Sequence, residues 1–318
     1  ADSQAGLPLP VGVGVACVLI GLGFKLAAVP FHFWCPDVFE GAAAEVGAFL
    51  SVASKAAALA LTARFLFTLG APTGDGQGDQ AGGTLAFVWA IFAAVTATFG
   101  NLAALAQTNL KRLLAYSTIA HAGFMMMALV PLGPRMAGPV LYYVSAYLLM
   151  NLGAFAVVAL VRNQTGSEEL DAYRGLARRS PGLAVGMAFF LLSLLGLPPL
   201  AGFAAKFQVF AALYETGRTV GTPDATLGWL YFGLLAVAVL NTAISAGYYL
   251  RVVRAMTLDD PVGEAGPLNV PAGGRLLIGA LAALVVIVGI LWDPLTRAAD
   301  RAAGSFRASP EAFQEKRP

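Results

Sequence analysis

Eight long apolar stretches limit this chain more than any other feature: roughly 9–33, 45–69, 84–105, 111–132, 137–162, 182–216, 226–254 and 273–293. A helix that crosses a bilayer needs about 20 mostly apolar residues. Lipid offers no water to satisfy backbone N–H and C=O groups, so each stretch reads as a helix. Composition points the same way. The 318 residues are 58% hydrophobic and 12% charged, whereas a soluble domain carries about 45–50% apolar and about 25% charged residues. A water-soluble fold could not hide so much apolar surface. The expected class is all-α, a polytopic membrane helix bundle of about eight transmembrane helices.

The connectors exclude several functions. "GAPTGDGQGDQAGG", 70–83, reads as a flexible loop and lacks the Gly-Lys-Ser/Thr ending of a phosphate loop. "RNQTGSEELDAYRGLARRSP", 162–181, is the longest polar connector, and 297–318 reads as a surface tail. A net charge of +2 gives no reason to expect nucleic acid as a partner. Cys17 and Cys35 form no CxxC pair and no iron–sulfur spacing, and two histidines, His32 and His121, are too few for a multi-haem or metal site. No cofactor or metal is expected on this chain. It starts at Ala1 without a basic n-region, so 9–33 does not read as a signal peptide. That start is expected of a fragment or a processed chain.

Two of the stretches are interrupted by proline, which removes a backbone donor and clashes with the preceding turn. Pro30 and Pro36 end the first; Pro198 and Pro199, between Gly196 and Gly202, split the sixth. At about 35 residues, 182–216 is too long for one straight span. It is either one broken helix or a hairpin of two. Positive residues in short loops favour the cytoplasmic side. With one broken span, Lys111, Arg112, Arg162, Arg174, Arg178, Arg179, Arg251, Arg254 and Arg275 share a side, against Arg64, Arg135 and Arg218. Two spans would even out that asymmetry, so the broken helix is the expectation, with both termini facing away from the cytoplasm.

Lys25, Lys55 and Lys206 lie inside apolar stretches, whereas the arginines lie at ends, in loops or in the tail. Arginine stays charged, while a buried lysine can titrate. That division suggests proton chemistry. A lysine near the surface could instead snorkel to the headgroups, but about 15 Å of helix separates Lys55 from Glu45. Lys206 follows a Pro-Pro break, and broken helices often mark ion sites at mid-membrane. His121 either packs or relays protons; His32, beside Pro30 and Trp34, reads as an interface residue. Met125, Met126 and Met127 read as packing, and Tyr142, Tyr143, Tyr147 and Asn151 as a polar stripe against neighbouring helices. Asp37, Glu40 and Glu45 either cap the following helix or meet a neighbouring subunit. No Asp or Glu falls mid-membrane; Glu215 and Asp293 lie at stretch ends. An acidic partner for the lysines is absent or lies elsewhere.

"FKLAAVPFHFWCPDVFEGAAAEVGAFLSVASKAA", "NLAALAQTNLKRLLAYSTIAHAGF" and "GLPPLAGFAAKF" resemble the antiporter-like proton-pumping membrane subunits of respiratory complex I, the NADH:quinone oxidoreductase. "PDVFEG" and "FLSVASKAA" are closest to the N-type subunit, called subunit 2 in mitochondria. "GAAAEV" departs from the family's usual Gly-Ala-Pro. The resemblance implies an inverted-repeat antiporter-like fold with two discontinuous helices, broken at Pro30 and at Pro198 and Pro199. Residues 1–69 would hold the last two helices of the first repeat, with 70–83 a loop. Residues 84–254 would form the second five-helix repeat, 255–296 the final transmembrane helix and 297–318 the tail. Lys25, Lys55, Lys206 and His121 would form a proton relay. The acid that pairs with Lys25 in the family would lie upstream of Ala1. The implied setting is a bacterial plasma membrane, with other membrane subunits of complex I, lipid and protons as partners. NAD, FMN, iron–sulfur clusters and quinone would sit in those partners. A subunit of an Mrp-type cation/proton antiporter or a membrane hydrogenase would use the same lysines. A retinal-type photoreceptor fits three lysines on broken helices badly, and a structural anchor would tolerate Lys→Met at all three.

Overall fold

The computed structural model describes residues 9–69, 77–131, 137–220, 225–262 and 266–304. Its regular structure is helical: α1 (Leu9–Leu26), α2 (Trp34–Gly41), α3 (Ala44–Phe49), α4 (Lys55–Leu69), α5 (Gln77–Leu105), α6 (Leu110–Met127) and α7 (Ala137–Thr165), then α8 (Leu176–Arg179), α9 (Pro181–Leu195), α10 (Ala201–Val220), α11 (Ala225–Thr257), α12 (Ala272–Ile290) and α13 (Trp292–Gly304). A π-helical turn, Leu50–Ser54, joins α3 to α4. Among the described residues, five helical segments are long and apolar enough to cross a membrane: Ala44–Leu69, Gly82–Leu105, Ala137–Thr165, Gly228–Thr257 and Ala272–Ile290. Pro10–Leu26 and Pro181–Leu195 are apolar but shorter.

Several boundaries differ from the sequence expectation. The first apolar stretch was expected to run to 33, but α1 stops at Leu26. Ala27 adopts a left-handed φ of 56°, which ends a right-handed helix, and Pro30 has no N–H to continue it. The loop expected over 70–83 is already helical from Gln77; residues 70–76 lie outside the described residues. The expected final span ends at Ile290, and the start of the tail forms α13, which buries Ala299 and Ala303. Residues 305–318 lie outside the described residues. Gly196, at φ 93°, ends α9, where only a residue without Cβ avoids strain.

The core centres on α6 and α7. From Leu113 to Met127 almost every α6 side chain is buried, among α5, α2 and α10. Within lipid, helices gain little by hiding apolar surface, so close backbone approach between small residues holds them together. A Cβ on Gly100 would lie 2.5 Å from the Ala120 nitrogen, and one on Gly123 2.4 Å from the Ala97 nitrogen. These two contacts clamp α5 against α6. The same device seats α12 on the gap between α9 and α10, where a Cβ on Gly289 would lie 2.1 Å from the Pro199 carbonyl oxygen. α7 packs on α3, α9, α10, α12 and α13.

Candidate functional site

Two buried lysines sit on the carbonyls of two helix ends. Lys55, 3% exposed, opens α4 directly after the π-turn, and its Nζ donates to the Leu26 carbonyl at the end of α1. Lys206, also 3% exposed, lies in the second turn of α10 and donates to the Leu195 carbonyl at 2.8 Å. The last carbonyls of a helix have no intrahelical partner. Here the residue four positions on is proline in both cases, Pro30 after Leu26 and Pro199 after Leu195, so no N–H can take the usual place. Each carbonyl is also followed by a residue with positive φ, Ala27 or Gly196. Two separate parts of the sequence thus build the same acceptor, and each gives it to a lysine. Both X–Pro bonds, Val29–Pro30 and Pro198–Pro199, are cis.

His121 is the centre of a buried polar cluster. It is 2% exposed. On the Lys206 side, the ammonium lies 4.7 Å from the Phe124 ring centroid, and that ring is 6.3 Å from the imidazole. The Tyr147 ring lies 5.0 Å from the imidazole. Each imidazole nitrogen has a hydroxyl partner: Nδ1 meets the Tyr143 Oη at 2.8 Å and Nε2 the Tyr249 Oη at 3.2 Å. The Tyr249 hydroxyl also pairs with the Ser117 Oγ at 2.5 Å, and the Tyr147 hydroxyl donates to the Thr118 Oγ1 at 2.9 Å. Hydroxyls and imidazole both donate and accept, so this cluster can pass a proton along its bonds. A second network is less suited to that task. Tyr248 donates to the Asn101 Oδ1 at 3.0 Å, and Asn101 donates to the Asn241 Oδ1 at 3.0 Å. Amide nitrogens donate without accepting, so this network ties α5 to α11.

The other sequence candidates are dispersed. Lys25 lies in the last turn of α1 with its side chain exposed. Pro30, Pro198 and Pro199 lie in the non-helical segments after α1 and α9. His32 is buried, its ring 4.3 Å from Phe33 and 4.4 Å from Phe99. Asp37 and Glu40 do not cap the following helix: both pair with Arg112, while the α3 N-terminus has no side-chain cap. Lys111, which reads as a loop charge in the sequence, is 1% exposed. It donates to the Ala42 carbonyl at 2.7 Å and pairs with Glu168 at 2.8 Å. Beside it, burial together with the Glu168 charge pushes the Tyr173 phenol well above its ordinary range. Tyr249 and Ser117 escaped sequence reading, because 132 positions separate them. The π-turn escaped it too, though such turns are frequent at functional sites. Among the described residues, no group of three His, Cys, Asp or Glu side chains is placed to hold a metal ion.

Known proteins share this architecture. The chain is 46% identical over 312 residues to "NADH-quinone oxidoreductase subunit N" of Anaeromyxobacter sp. strain Fw109-5, covering 96% of this chain and 59% of that relative. It is 41% identical over 293 residues to the subunit N of Chlorobium chlorochromatii, covering 91% and 55%. The chain thus spans just over half the length of these curated relatives. A chain of respiratory complex I from Thermus thermophilus with bound aureothin superposes with a TM-score of 0.73 at 34% identity, over 93% of this chain and 61% of that one. A chain of the Mrp complex from Dietzia sp. DQ12-45-1b superposes with a TM-score of 0.80 at 19% identity, over 97% and 62%, a likeness of fold alone. Residues 11–223 match the sequence model of the family described as NADH:quinone oxidoreductase/Mrp antiporter, TM. On that match, which takes in both lysine-bearing helix ends and His121, the chain belongs to the NADH:quinone oxidoreductase/Mrp antiporter membrane family.

Proposed function

We propose that the chain is a proton-translocating part of an NADH:quinone oxidoreductase membrane subunit. Lys55, His121 and Lys206 form its relay, and Lys25 lies at the end toward the first repeat. One observation carries the proposal: among the described residues Lys55 and Lys206 are buried without a carboxylate partner, each on a carbonyl whose usual N–H is replaced by a proline. A buried ammonium without a counter-charge is held weakly, and desolvation works against its charged form. A proton on such an amine can leave when a neighbouring positive charge arrives, and return when it departs. The Tyr143–His121–Tyr249–Ser117 cluster gives that proton a route between the lysines.

The same reading takes α1 with α2, and α9 with α10, as two discontinuous spans among eight. Residues 1–69 are then the last two helices of one repeat, 84–254 a second repeat, and 255–296 a final span. Lys111, Arg112, Arg162 and Arg174 lie on the cytoplasmic side of a bacterial plasma membrane. NAD, FMN, iron–sulfur clusters and quinone belong to partner subunits, so quinone reduction drives this relay from outside the chain. The residues of this chain hold and move protons and carry no electrons.

The test places Lys25→Met, Lys55→Met and Lys206→Met singly in the full-length subunit of an assembled complex. Each is expected to leave assembly intact and cut coupled proton pumping strongly. Normal pumping in all three would sink the proposal. A second reading, a subunit of an Mrp-type cation/proton antiporter or a membrane hydrogenase, draws on the fold shared with the Dietzia Mrp complex. Copurification with peripheral iron–sulfur subunits supports the first reading, and cation-driven proton exchange without them supports the second.

A further inference from the structure

A recess of about 490 Å³ opens between the first turns of α9 and α12, with Arg179 and Arg275 in its lining. The neighbouring arginines are neutralised: Arg112, Arg162, Arg174 and Arg178 each pair with an Asp or Glu. Arg179 and Arg275 pair with no carboxylate among the described residues. Arg179 is nonetheless fixed in place. Its Nη1 donates to the Ala172 carbonyl at 3.0 Å and its Nε to the Gly266 carbonyl at 3.3 Å. Among the described residues, those bonds leave the two Nη2 donors unclaimed. The wall formed by 266–271 is pinned as well. Leu268 donates to the Arg179 carbonyl at 3.2 Å, and Asn269 exchanges two hydrogen bonds with Gln164, at 2.7 and 3.0 Å.

Beyond the arginines the recess turns apolar, lined by Leu183, Val185, Phe189, Ile278 and Ala282. Its outer flank stays open: Val185 is 55% and Phe189 37% exposed. Gly182 and Gly279 also line it, and a Cβ on either would meet nothing within 4 Å. At the same time α9 and α12 are locked together, since a Cβ on Gly186 would lie 2.3 Å from the Ile278 Cγ2. The recess is therefore a preformed slot, cationic at one end and apolar along its length.

We propose that this slot binds the headgroup of an anionic phospholipid, with the start of an acyl chain lying along Gly182 and Gly279 between α9 and α12. Both helices begin here, so the arginines stand at headgroup depth when α12 spans the bilayer. A guanidinium matches a phosphate in geometry as well as charge, and basic pockets between transmembrane helices on the cytoplasmic side suit acidic lipids. The charge favours a phosphate, and the open apolar flank favours a lipid over a free anion. The site lies apart from the lysine relay and does not depend on it.

The test uses the complex containing the full-length subunit, stripped of lipid in detergent, and follows the return of one phospholipid by native mass spectrometry. The Arg179→Gln/Arg275→Gln variant is expected to bind phosphatidylglycerol or cardiolipin at least about tenfold more weakly than wild type, and phosphatidylcholine equally poorly. Arg275→Gln alone, at an exposed side chain with no side-chain partner among the described residues, should weaken binding several-fold and guards against a folding defect in the double variant. Arg218→Gln, at a residue stacked on Tyr214, should change nothing. The proposal is overturned by equal acidic-lipid binding in wild type and Arg275→Gln. It is also overturned by competition from millimolar inorganic phosphate, which would mark a small-anion site. Loss of a neighbouring subunit in the variant, with lipid binding intact, would mark a protein interface and overturn it as well.

Discussion

Lys206→Met separates stability from function at one atom. The side chain loses a charged hydrogen bond to the Leu195 carbonyl at 2.8 Å and a cation–π contact at 4.7 Å from Phe124. A hydrogen bond involving a charged group contributes roughly 1.5–3 kcal/mol, and a desolvated cation–π contact about 1–2 kcal/mol. Against this, a charge at the bilayer centre costs about 2.5–3.5 kcal/mol on insertion scales, a cost methionine removes while keeping a similar length of apolar stem. The opposing effects nearly cancel. The variant complex should melt within about 2 °C of wild type, a shift worth roughly 1 kcal/mol or less, while proton pumping falls sharply. Both are measured on one preparation, by thermal unfolding of the purified complex and by pH-dye quenching in proteoliposomes driven by NADH. A drop of more than about 5 °C would make Lys206 a structural cap and its lost activity a folding effect. Full pumping at an unchanged melting temperature would remove it from the relay.

Gly196→Ala should destabilise the complex by about 1–2 kcal/mol, the cost of a left-handed φ for a residue with Cβ, because Gly196 sits at φ 93° with Lys206 Cδ only 3.0 Å from the added atom; thermal unfolding reads it, and an unchanged melting temperature would show that the break relaxes freely. Tyr249→Phe removes the hydroxyl shared by Ser117 and His121, and should slow pumping several-fold with assembly intact; wild-type rates would take Tyr249 out of the proton route. Asn163→Cys, on the exposed end of α7, should react with a membrane-impermeant maleimide from the cytoplasmic side, and reaction only from the opposite side would invert the topology.

What could be read from the sequence follows from the range of the forces involved. Hydropathy and proline act locally, so the apolar stretches, the gaps at Pro30 and at Pro198 and Pro199, and the isolation of Lys55 and Lys206 in oily surroundings are all visible in one dimension. The partners of those lysines are not. Leu26 lies 29 positions before Lys55, and only the folded chain shows that a carbonyl left free by a proline meets an amine. Lys111 reads as a loop charge because Glu168 is 57 positions away. The π-turn before Lys55 leaves no hydropathy signal, since it inserts a residue without changing the apolar pattern. α5 begins inside a Gly-rich segment, and α13 runs into what reads as a surface tail, held there by packing on α7 rather than by propensity.

Gly289 gives the gap between α9 and α10 a mechanical neighbour. With a Cβ position there only 2.1 Å from the Pro199 oxygen, the two backbones are already at the limit of approach. If α9 and α10 realigned and pushed Pro199 outward, α12 would have to slide or tilt. α12 passes through Leu291 directly into α13, and α13 rests on α7, the helix that carries Tyr143 and Tyr147. Displacement at the proline gap would therefore travel around a closed loop of rigid rods and return to the imidazole from its far side. In that arrangement α12 acts as a lever, with Gly289 as its fulcrum.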